Sequence, residues 1–290
     1  MDWTNQTPLR VVVQDGQHRR WLCFGEPIRV LKAESADQVL AALHAAEQAV
    51  ENEGLYAAGF IAYEAAPGFD PALRVREQLD VPLLWLGLFH APEVWSDLPD
   101  AALAHTLGPW EPAIDRATYR RAIAAIKEQI AAGYTFQINY TFPLGADFKG
   151  EPWPLFVQLA AAQRGHFAAY VDTGRHVVCS ASPELFFQKA DGVLTSRPMK
   201  GTAPRGRTFA EDEAQRAWLF ASEKNRAENV MIVDMIRNDM GRVAEVGSVR
   251  VPKLFDVERY PTVLQMTSTV TSRTSASWIS AAASSGLSIS

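Results

Sequence analysis

Lys200 stands in a stretch whose composition favours chemistry at its amine. Residues 196–207 read SRPMKGTAPRGR, so Lys200 follows Met199 and lies between Pro198 and Pro204. A lysine attacks as a nucleophile only after it loses its proton, and desolvation or nearby positive charge favours that loss. The same stretch holds three further cations that raise the local potential and are suited to binding carboxylates: Arg197, Arg205 and Arg207. The pattern predicts either a nucleophilic lysine in a proline-stiffened loop or a turn with solvated charges.

Glu184, sixteen positions before Lys200, is a candidate general acid or base. It occurs in SASPELFF, where Pro183 precedes it and apolar residues follow. If this run is a strand, Glu184 and Phe186 lie on one face, and a carboxylate in apolar surroundings has a raised pKa that suits proton transfer. The alternative is a glutamate at the end of a strand, on the surface. An Asp-Gly hairpin at 191–192 would bring this run close to the lysine stretch.

Glu228 is the third candidate and lies in the helical pattern RAENVMIVDMIRNDMGRV. At helical spacing it shares a stripe with Met231, Ile232 and Met235, so its carboxylate begins on an apolar face. A buried carboxylate needs a partner. A divalent cation, an arginine or the positive first turn of a helix would each serve, and the spacing does not choose among them.

The elements that must position these residues form an α+β pattern. Strand patterns occur at 9–13, 21–24, 59–63, 83–89, 135–144, 167–172, 176–180, 184–189, 193–196 and 247–251, and helix patterns at 35–53, 117–132, 211–221 and 224–238. We predict an N-terminal α+β region over 1–110 and a catalytic region over 116–271, separated by a proline-rich connector. Residues 272–290 are rich in serine and carry no apolar stripe, which predicts a disordered tail.

Composition excludes several classes of protein. The net charge of −5 leaves no basic footprint for nucleic acid, and no window of about 18 apolar residues predicts a membrane span. The two cysteines, Cys23 and Cys179, have the spacing of neither a disulfide scaffold nor a zinc site, and the N-terminus has no signal-peptide pattern. We therefore expect a cytoplasmic globular protein that binds neither nucleic acid nor membrane.

Five blocks of the sequence resemble the chorismate-utilising enzymes, in the order and at the separations typical of that family. The blocks are YTFQINYTFPL, SASPELFF, RPMKGTAPRG, EKNRAENVMIVDMIRNDMGRV and GSVRVPKLFDVERYPTVLQMTSTV. The similarity runs from about residue 118 to residue 270, and five long motifs in register are highly specific. The N-terminal run GFIAYEAAPGFDPAL is also similar to the matching domain of component I of aminodeoxychorismate synthases.

Within this family, a lysine in the P-x-K-G-T motif is typical of aminodeoxychorismate synthases, whereas anthranilate synthases have an alanine there. The resemblance implies that Lys200 attacks ring carbon 2 of chorismate and expels the 4-hydroxyl group, after which ammonia adds at carbon 4 and the lysine leaves. It also implies that Glu184 is the general acid/base and that Glu228 binds Mg²⁺. Gly201 and Thr202 would line the substrate.

The resemblance further implies the product, the partner and the fold. The product would be 4-amino-4-deoxychorismate, a precursor of p-aminobenzoate and folate, and a glutamine amidotransferase, component II, would supply the ammonia. The fold would be α+β and anthranilate synthase component I-like, with two packed antiparallel β-sheets and outer helices.

After Thr271 the sequence departs from the family pattern. The Gly-Ala-Pro-Lys motif and the second magnesium-binding glutamate of the family are absent, which predicts a fold incomplete at the C-terminus and low or no activity. Gln265 stands where many relatives have a histidine. Two alternatives stay open: another chorismate enzyme that makes anthranilate, isochorismate or salicylate, or a non-catalytic remnant that binds the amidotransferase.

Overall fold

The computed structural model describes residues 10–76, 80–99 and 105–277. These residues form two compact units, of which the larger combines 10–76 and 80–99 with 156–277, and the smaller takes in 105–155. The predicted disordered tail lies mostly outside the described residues, since only 272–277 of it are described. The region boundaries at 110 and 116 stay a prediction.

The described elements alternate between strands and helices along the chain. The strands are β1 (Val11–Asp15), β2 (Arg20–Phe24), β3 (Arg29–Ala33), β4 (Tyr56–Ile61), β5 (Leu84–Phe89), β6 (Glu93–Trp95), β7 (His105–Leu107), β8 (Glu111–Pro112), β9 (Leu144–Gly145), β10 (Phe148–Gly150), β11 (Phe167–Asp172), β12 (Val177–Ser182), β13 (Leu185–Ala190), β14 (Val193–Arg197), β15 (Met199–Pro204), β16 (Arg250–Arg259) and β17 (Val263–Arg273). The helices are α1 (Ala36–Glu53), α2 (Arg116–Ala131), α3 (Pro152–Gln163), α4 (Phe209–Ala221) and α5 (Glu223–Gly241), with a 3₁₀ helix at Tyr63–Gly68.

The described residues of the larger unit form three sheets, and each strand pair in these sheets is antiparallel. The first sheet has the order β12-β11-β1-β2-β6, so strands from the N-terminal part of the described sequence pair with strands from its middle. The second has the order β13-β14-β17-β15, with β16 also paired to β17, and the third has the order β3-β5-β4. Two short strand pairs, β10 with β7 and β8 with β9, belong to the smaller unit.

Apolar side chains pack these sheets against each other and against helices. The first and third sheets meet through Val11, Phe24, Trp85 and Phe89. The other face of the third sheet is covered by α1, so β5 is buried on both faces and all six of its residues are apolar or glycine. Helices α4 and α5 cover one face of the second sheet. The predicted α+β fold with packed antiparallel sheets and outer helices is confirmed, and the described residues form three such sheets where two were predicted.

Local sequence signals explain where the helices beside the second sheet begin. The hydroxyl of Thr208 accepts a hydrogen bond from the Glu211 N–H and caps α4. The hydroxyl of Ser222 accepts from the Asn225 N–H and caps α5. Such caps satisfy N–H groups that have no partner inside the helix. The predicted hairpin between β13 and β14 is present, and both of its turn residues, Asp191 and Gly192, have positive φ.

Two expected elements differ from the structure. Residues 135–144 alternate like a strand, but only Leu144 and Gly145 pair, with β8, and Phe136 and Ile138 are 62% and 44% exposed. Within the described residues the rest of this run has no neighbouring strand to satisfy its backbone, and a strand without a ladder is not stable. The lysine stretch, expected as a loop, forms strand β15 instead. No helix in the described residues combines the length and apolarity needed to cross a membrane.

Candidate active site

Lys200 lies in a β-bulge on the second sheet. Strands β14 and β15 continue one another along β17, and Met199 lies opposite Thr267 in the same register as β14. Beyond Lys200 the register shifts by one residue, because Thr202 lies opposite Gln265. A bulge inserts one extra residue into a strand and changes the direction in which its side chain points. The stiff backbone that was expected around Lys200 is therefore a kinked strand.

Gly201 allows this bulge to lie close to α5. Its φ is +103°, and a Cβ built on it would lie 3.1 Å from Cβ of Asn225. The Asn225 side chain is itself held, since its Nδ2 donates to Oγ of Ser222 at 2.8 Å. A side chain at position 201 would meet both a disfavoured backbone conformation and a crowded neighbour. Gly201, predicted to line the substrate, thus has a clear structural role beside Lys200.

Glu184 lies against the residue that precedes Lys200. The Met199 N–H donates to Oε1 of Glu184 at 2.9 Å. Desolvation raises the pKa of the Glu184 carboxyl, while the Met199 N–H and the charge of Lys200 act in the opposite direction. Glu184 is nevertheless exposed to solvent, at the position just before β13 begins. The hairpin has brought the predicted acid and the predicted nucleophile together.

The Lys200 amine is available for chemistry. Lys200 is half-buried, and in the described parts of the chain its Nζ forms neither a hydrogen bond nor an ion pair. Glu184 is near enough for its carboxyl to respond to the lysine charge. An unpaired amine beside a carboxyl group with a raised pKa is suited to attack on carbon with proton transfer to a leaving group.

Two of the three arginines do not act as expected. Arg197 forms an ion pair with Glu258, whose carboxylate also accepts hydrogen bonds from Thr267 and Tyr260. Arg205 forms an ion pair with Asp212. Their charges are therefore largely neutralised, and the expectation that they raise the potential at Lys200 is wrong. The sequence could not reveal the pairing of Arg197, because Glu258 is 61 residues away, whereas Asp212 is only seven residues from Arg205.

Asp212 ties α4 to the ends of two strands. Its carboxylate accepts from Nε and Nη2 of Arg205 at 2.6 and 3.1 Å, from Nε of Arg259 at 3.2 Å and from the Gly206 N–H at 3.0 Å. The residue is 5% exposed. The hydrogen bond from Arg205 is the main cause that lowers the pKa of the Asp212 carboxyl to about 2. No pattern in the sequence had pointed to this cluster.

Replacing Asp212 with asparagine should lower the midpoint of thermal unfolding by roughly 5 to 10 °C at pH 7, because two arginines would lose their common counter-charge. A carboxyl whose pKa is lower in the folded state adds stability above its unfolded pKa, and that contribution is lost as the pH falls through about 2. The difference between wild type and variant should therefore shrink in acid. Asp256→Asn, in an exposed pair with Lys253, is the control. An equal midpoint for Asp212→Asn and wild type would contradict the prediction.

Thr202 and Gln265 form a polar pair across the strands. The Thr202 hydroxyl donates to Oε1 of Gln265 at 3.0 Å. Leu264 and Met266, on either side of Gln265, are buried against the helices, so Gln265 lies on the opposite face of the sheet. Thr202, predicted to line the substrate, therefore lies on the polar face that α4 and α5 leave uncovered.

Glu228 lies on α5 beside the helix surface that contacts the bulge. Its side chain is 32% exposed, and its charged neighbour is Lys224 at 3.6 Å, an i,i+4 pair. Asn225 and Asn229, on the same helix, contact Gly201 and Lys200. In the described residues no group of three or more histidine, cysteine, aspartate or glutamate side chains could hold a metal ion. A single carboxylate fits Mg²⁺ only if water and substrate oxygens complete the coordination shell.

Comparison with known proteins shows the family of the chain. Residues 96–284 match the family model for chorismate binding enzymes. Aminodeoxychorismate synthase component 1 of Klebsiella aerogenes is 41% identical over 182 residues, which cover 62% of this chain and 40% of that protein. Anthranilate synthase component 1 of Streptomyces coelicolor is 38% identical over 188 residues, which cover 63% of this chain and 37% of that protein. The chain thus spans only about two fifths of the length of these relatives.

A solved structure extends the likeness to the whole fold. Anthranilate synthase component I from Streptococcus pneumoniae superposes with a TM-score of 0.78 at 19% identity, covering 98% of this chain and 74% of that one. The identity is low, so this likeness concerns the fold alone. The family model, by contrast, matches well over half of the sequence and includes the bulge and both glutamates. The chain therefore belongs to the family of chorismate binding enzymes.

Proposed function

We propose that this chain acts as component 1 of an aminodeoxychorismate synthase, which converts chorismate and ammonia into 4-amino-4-deoxychorismate and water. The observation that carries the proposal is the pair of Lys200 and Glu184 at the bulge, where an unpaired amine lies near a carboxyl group with a raised pKa. The relative from Klebsiella aerogenes, which bears this name, supports it. The product would feed the synthesis of p-aminobenzoate and folate.

The residues allow a balanced sequence of bond changes. The Lys200 amine forms a bond to ring carbon 2, and the 4-hydroxyl group leaves as water with the proton of Glu184. Ammonia then bonds to carbon 4 while the bond between Lys200 and carbon 2 breaks. The Glu184 carboxylate takes the extra proton from the new ammonium group, which restores both side chains. Thr202 and Gln265, on the uncovered face, would contact the substrate.

A second candidate is amination at carbon 2, as in an anthranilate synthase. The relative from Streptomyces coelicolor, at 38% identity, is the observation that favours it. Lys200 disfavours it, because a lysine that occupies carbon 2 prevents ammonia from attacking there. The two reactions give different products, so product identity separates them.

The source of ammonia and the cellular location are part of the same proposal. We propose a glutamine amidotransferase, component II, as the partner, because the relatives are called component 1 of their synthases. Co-purification with a glutaminase subunit would test this. The location would be cytoplasmic, and cell fractionation would test it.

The test of the proposed function is product analysis. The purified chain is incubated with chorismate, Mg²⁺ and a high concentration of ammonium, and the products are separated and identified by mass spectrometry. The expected product is 4-amino-4-deoxychorismate. A product aminated at carbon 2 would support the second candidate instead. A folded chain that forms no product would refute catalysis by this chain and favour the non-catalytic remnant.

Magnesium would be held by Glu228 together with water and a carboxylate of chorismate, and would neutralise the charge of that carboxylate. We expect Glu228→Gln to weaken the binding of chorismate in the presence of Mg²⁺ by roughly 10-fold or more, because a cation site with one protein carboxylate depends on that group. Titration calorimetry with and without Mg²⁺ measures this without turnover. Glu223→Gln, in the first turn of α5, is the control. Equal Mg²⁺ dependence in Glu228→Gln and wild type would exclude Glu228 as the ligand.

A further inference from the structure

A buried chain of hydrogen bonds ends at the backbone of Lys200. The Phe255 N–H donates to Oγ of Ser268 at 3.2 Å. The Ser268 hydroxyl donates to Oδ1 of Asn229 at 2.6 Å, and Nδ2 of Asn229 donates to the Lys200 carbonyl at 3.4 Å. Each donor in this chain has one acceptor, so the orientation of the Asn229 amide is fixed by its neighbours.

This chain joins two irregularities of the second sheet. One is the bulge at Lys200 in β15, and the other is a register shift in β16 beside Phe255, whose φ is +62°. A bulge removes backbone groups from the ladder and leaves them without strand partners. Ser268 lies on β17, between the two, and its own N–H donates to the Pro198 carbonyl at 3.1 Å. The pair of Asn229 and Ser268 thus satisfies groups on both sides of β17.

Asn229 and Ser268 are polar residues in the apolar core, where such residues are costly unless they have a specific structural role. Asn229 is 1% exposed and Ser268 is fully buried. Met266 and Val270, two residues away on either side of Ser268, belong to the apolar clusters between the sheet and the helices. Polar side chains in such a place cost free energy unless they are fully hydrogen-bonded. An apolar pair would pack equally well here but would leave the Lys200 carbonyl unsatisfied.

We propose that Asn229 and Ser268 are positioning residues for Lys200. They hold the carbonyl of the bulge and so set the direction of the lysine side chain, without contacting the substrate. The inference rests on the proposed function only in that Lys200 performs the amination. Its geometric part, control of where the Lys200 amine lies, stands on the hydrogen bonds alone.

Another buried serine of the same strand provides a control for substitution of Ser268. Ser272 lies on the same strand and the same face as Ser268, four residues further on, and is also buried. In the described residues its hydroxyl has no hydrogen-bond partner. Ser268→Ala and Ser272→Ala therefore each remove a buried hydroxyl oxygen from similar surroundings. Only Ser268→Ala breaks the series of hydrogen bonds that leads to Lys200.

The first measurement needs no substrate. Wild type and variants are treated briefly with acetic anhydride, and acetylation of Lys200 is measured by mass spectrometry relative to exposed Lys32. Acetic anhydride should acetylate Lys200 several times faster in Ser268→Ala than in wild type, because a released bulge gives the half-buried amine more access to solvent. Ser272→Ala and the conservative Ser268→Thr should match wild type. If Ser268→Ala does not fold, Ser268→Cys, with a weak donor of similar size, replaces it.

The second measurement uses chorismate and ammonium. Ser268→Ala should lower kcat by about 10- to 100-fold, as expected when a reacting group is misplaced by a fraction of an ångström, with little change in KM. A loss of stability alone would leave the acetylation rate of Lys200 in the folded protein unchanged. Equal acetylation of Lys200 in Ser268→Ala and wild type overturns the inference, whatever the activity. If the wild-type chain forms no product but Lys200 is acetylated faster in Ser268→Ala than in wild type, the positioning role is sustained and the amination is refuted.

Discussion

Replacing Lys200 with alanine or arginine is expected to lower the formation of 4-amino-4-deoxychorismate by at least about a thousandfold, as removal of a covalent nucleophile does. Arginine keeps the positive charge but cannot attack carbon, because it stays protonated. Equal losses in the two variants would therefore indicate a covalent role for the amine. An electrostatic role predicts that arginine retains much of the activity.

Detection of a covalent intermediate on Lys200 would test the same prediction directly. With chorismate and Mg²⁺ but no ammonia, the peptide that contains Lys200 should gain the mass of chorismate less one water. Lys32→Ala, on the exposed side of β3, is the control and should keep both the adduct and the activity. An adduct on another lysine, or full activity of Lys200→Arg, would contradict the assignment.

Signals that act over short distances along the chain made much of this fold predictable. The Asp-Gly turn at 191–192 pairs β13 with β14, and that pairing alone places Glu184 near the lysine stretch. Helix α1 follows an apolar stripe, and helices α2, α4 and α5 begin at residues whose side chains cap them; both kinds of signal lie within a few positions along the sequence. Periodicity and turns depend on residues that are close in the sequence, so they can be predicted from the sequence alone.

Contacts between distant residues account for what the sequence did not predict. The bulge at Lys200 depends on the register of β15 against β17, more than sixty residues later. Arg197 looked free because its acidic partner, Glu258, lies 61 residues later in the sequence and reaches it only after folding. Asn229 was missed inside a helix pattern, although its helical spacing to Ile232 and Val233 is a signal that places it on the buried face of α5.

The same distinction explains the error at residues 135–144. Alternation predicts a strand, but a strand also needs a neighbour, and the sequence does not state whether one is present. The opposite error occurred at Lys200. The prolines and glycine of that stretch indicated a loop, but its residues form a strand because they pair with β17. In both cases the partner, and not the local pattern, decided the structure.

Glu184→Gln is expected to lower activity by about 10²- to 10⁴-fold, the usual contribution of a general acid or base. In wild type the protonated carboxyl is the active form, so activity should fall as the pH rises through its pKa, which desolvation has raised. In Glu184→Gln the remaining activity should no longer fall over that range. Measuring kcat/KM against pH for both proteins tests the assignment.

Stability separates this prediction from a general loss of structure. A carboxyl group with a raised pKa in the folded state contributes most at low pH, and that contribution is lost as the pH rises through the folded pKa. At pH 8 the ionised Glu184 therefore carries a desolvation cost that glutamine does not have, and the amide oxygen can still accept from the Met199 N–H. Glu184→Gln should thus unfold at a midpoint no lower than that of wild type at pH 8 while its activity is lost. A variant that loses both activity and stability there, or that keeps the alkaline fall in kcat/KM, would show that Glu184 does not act as the acid.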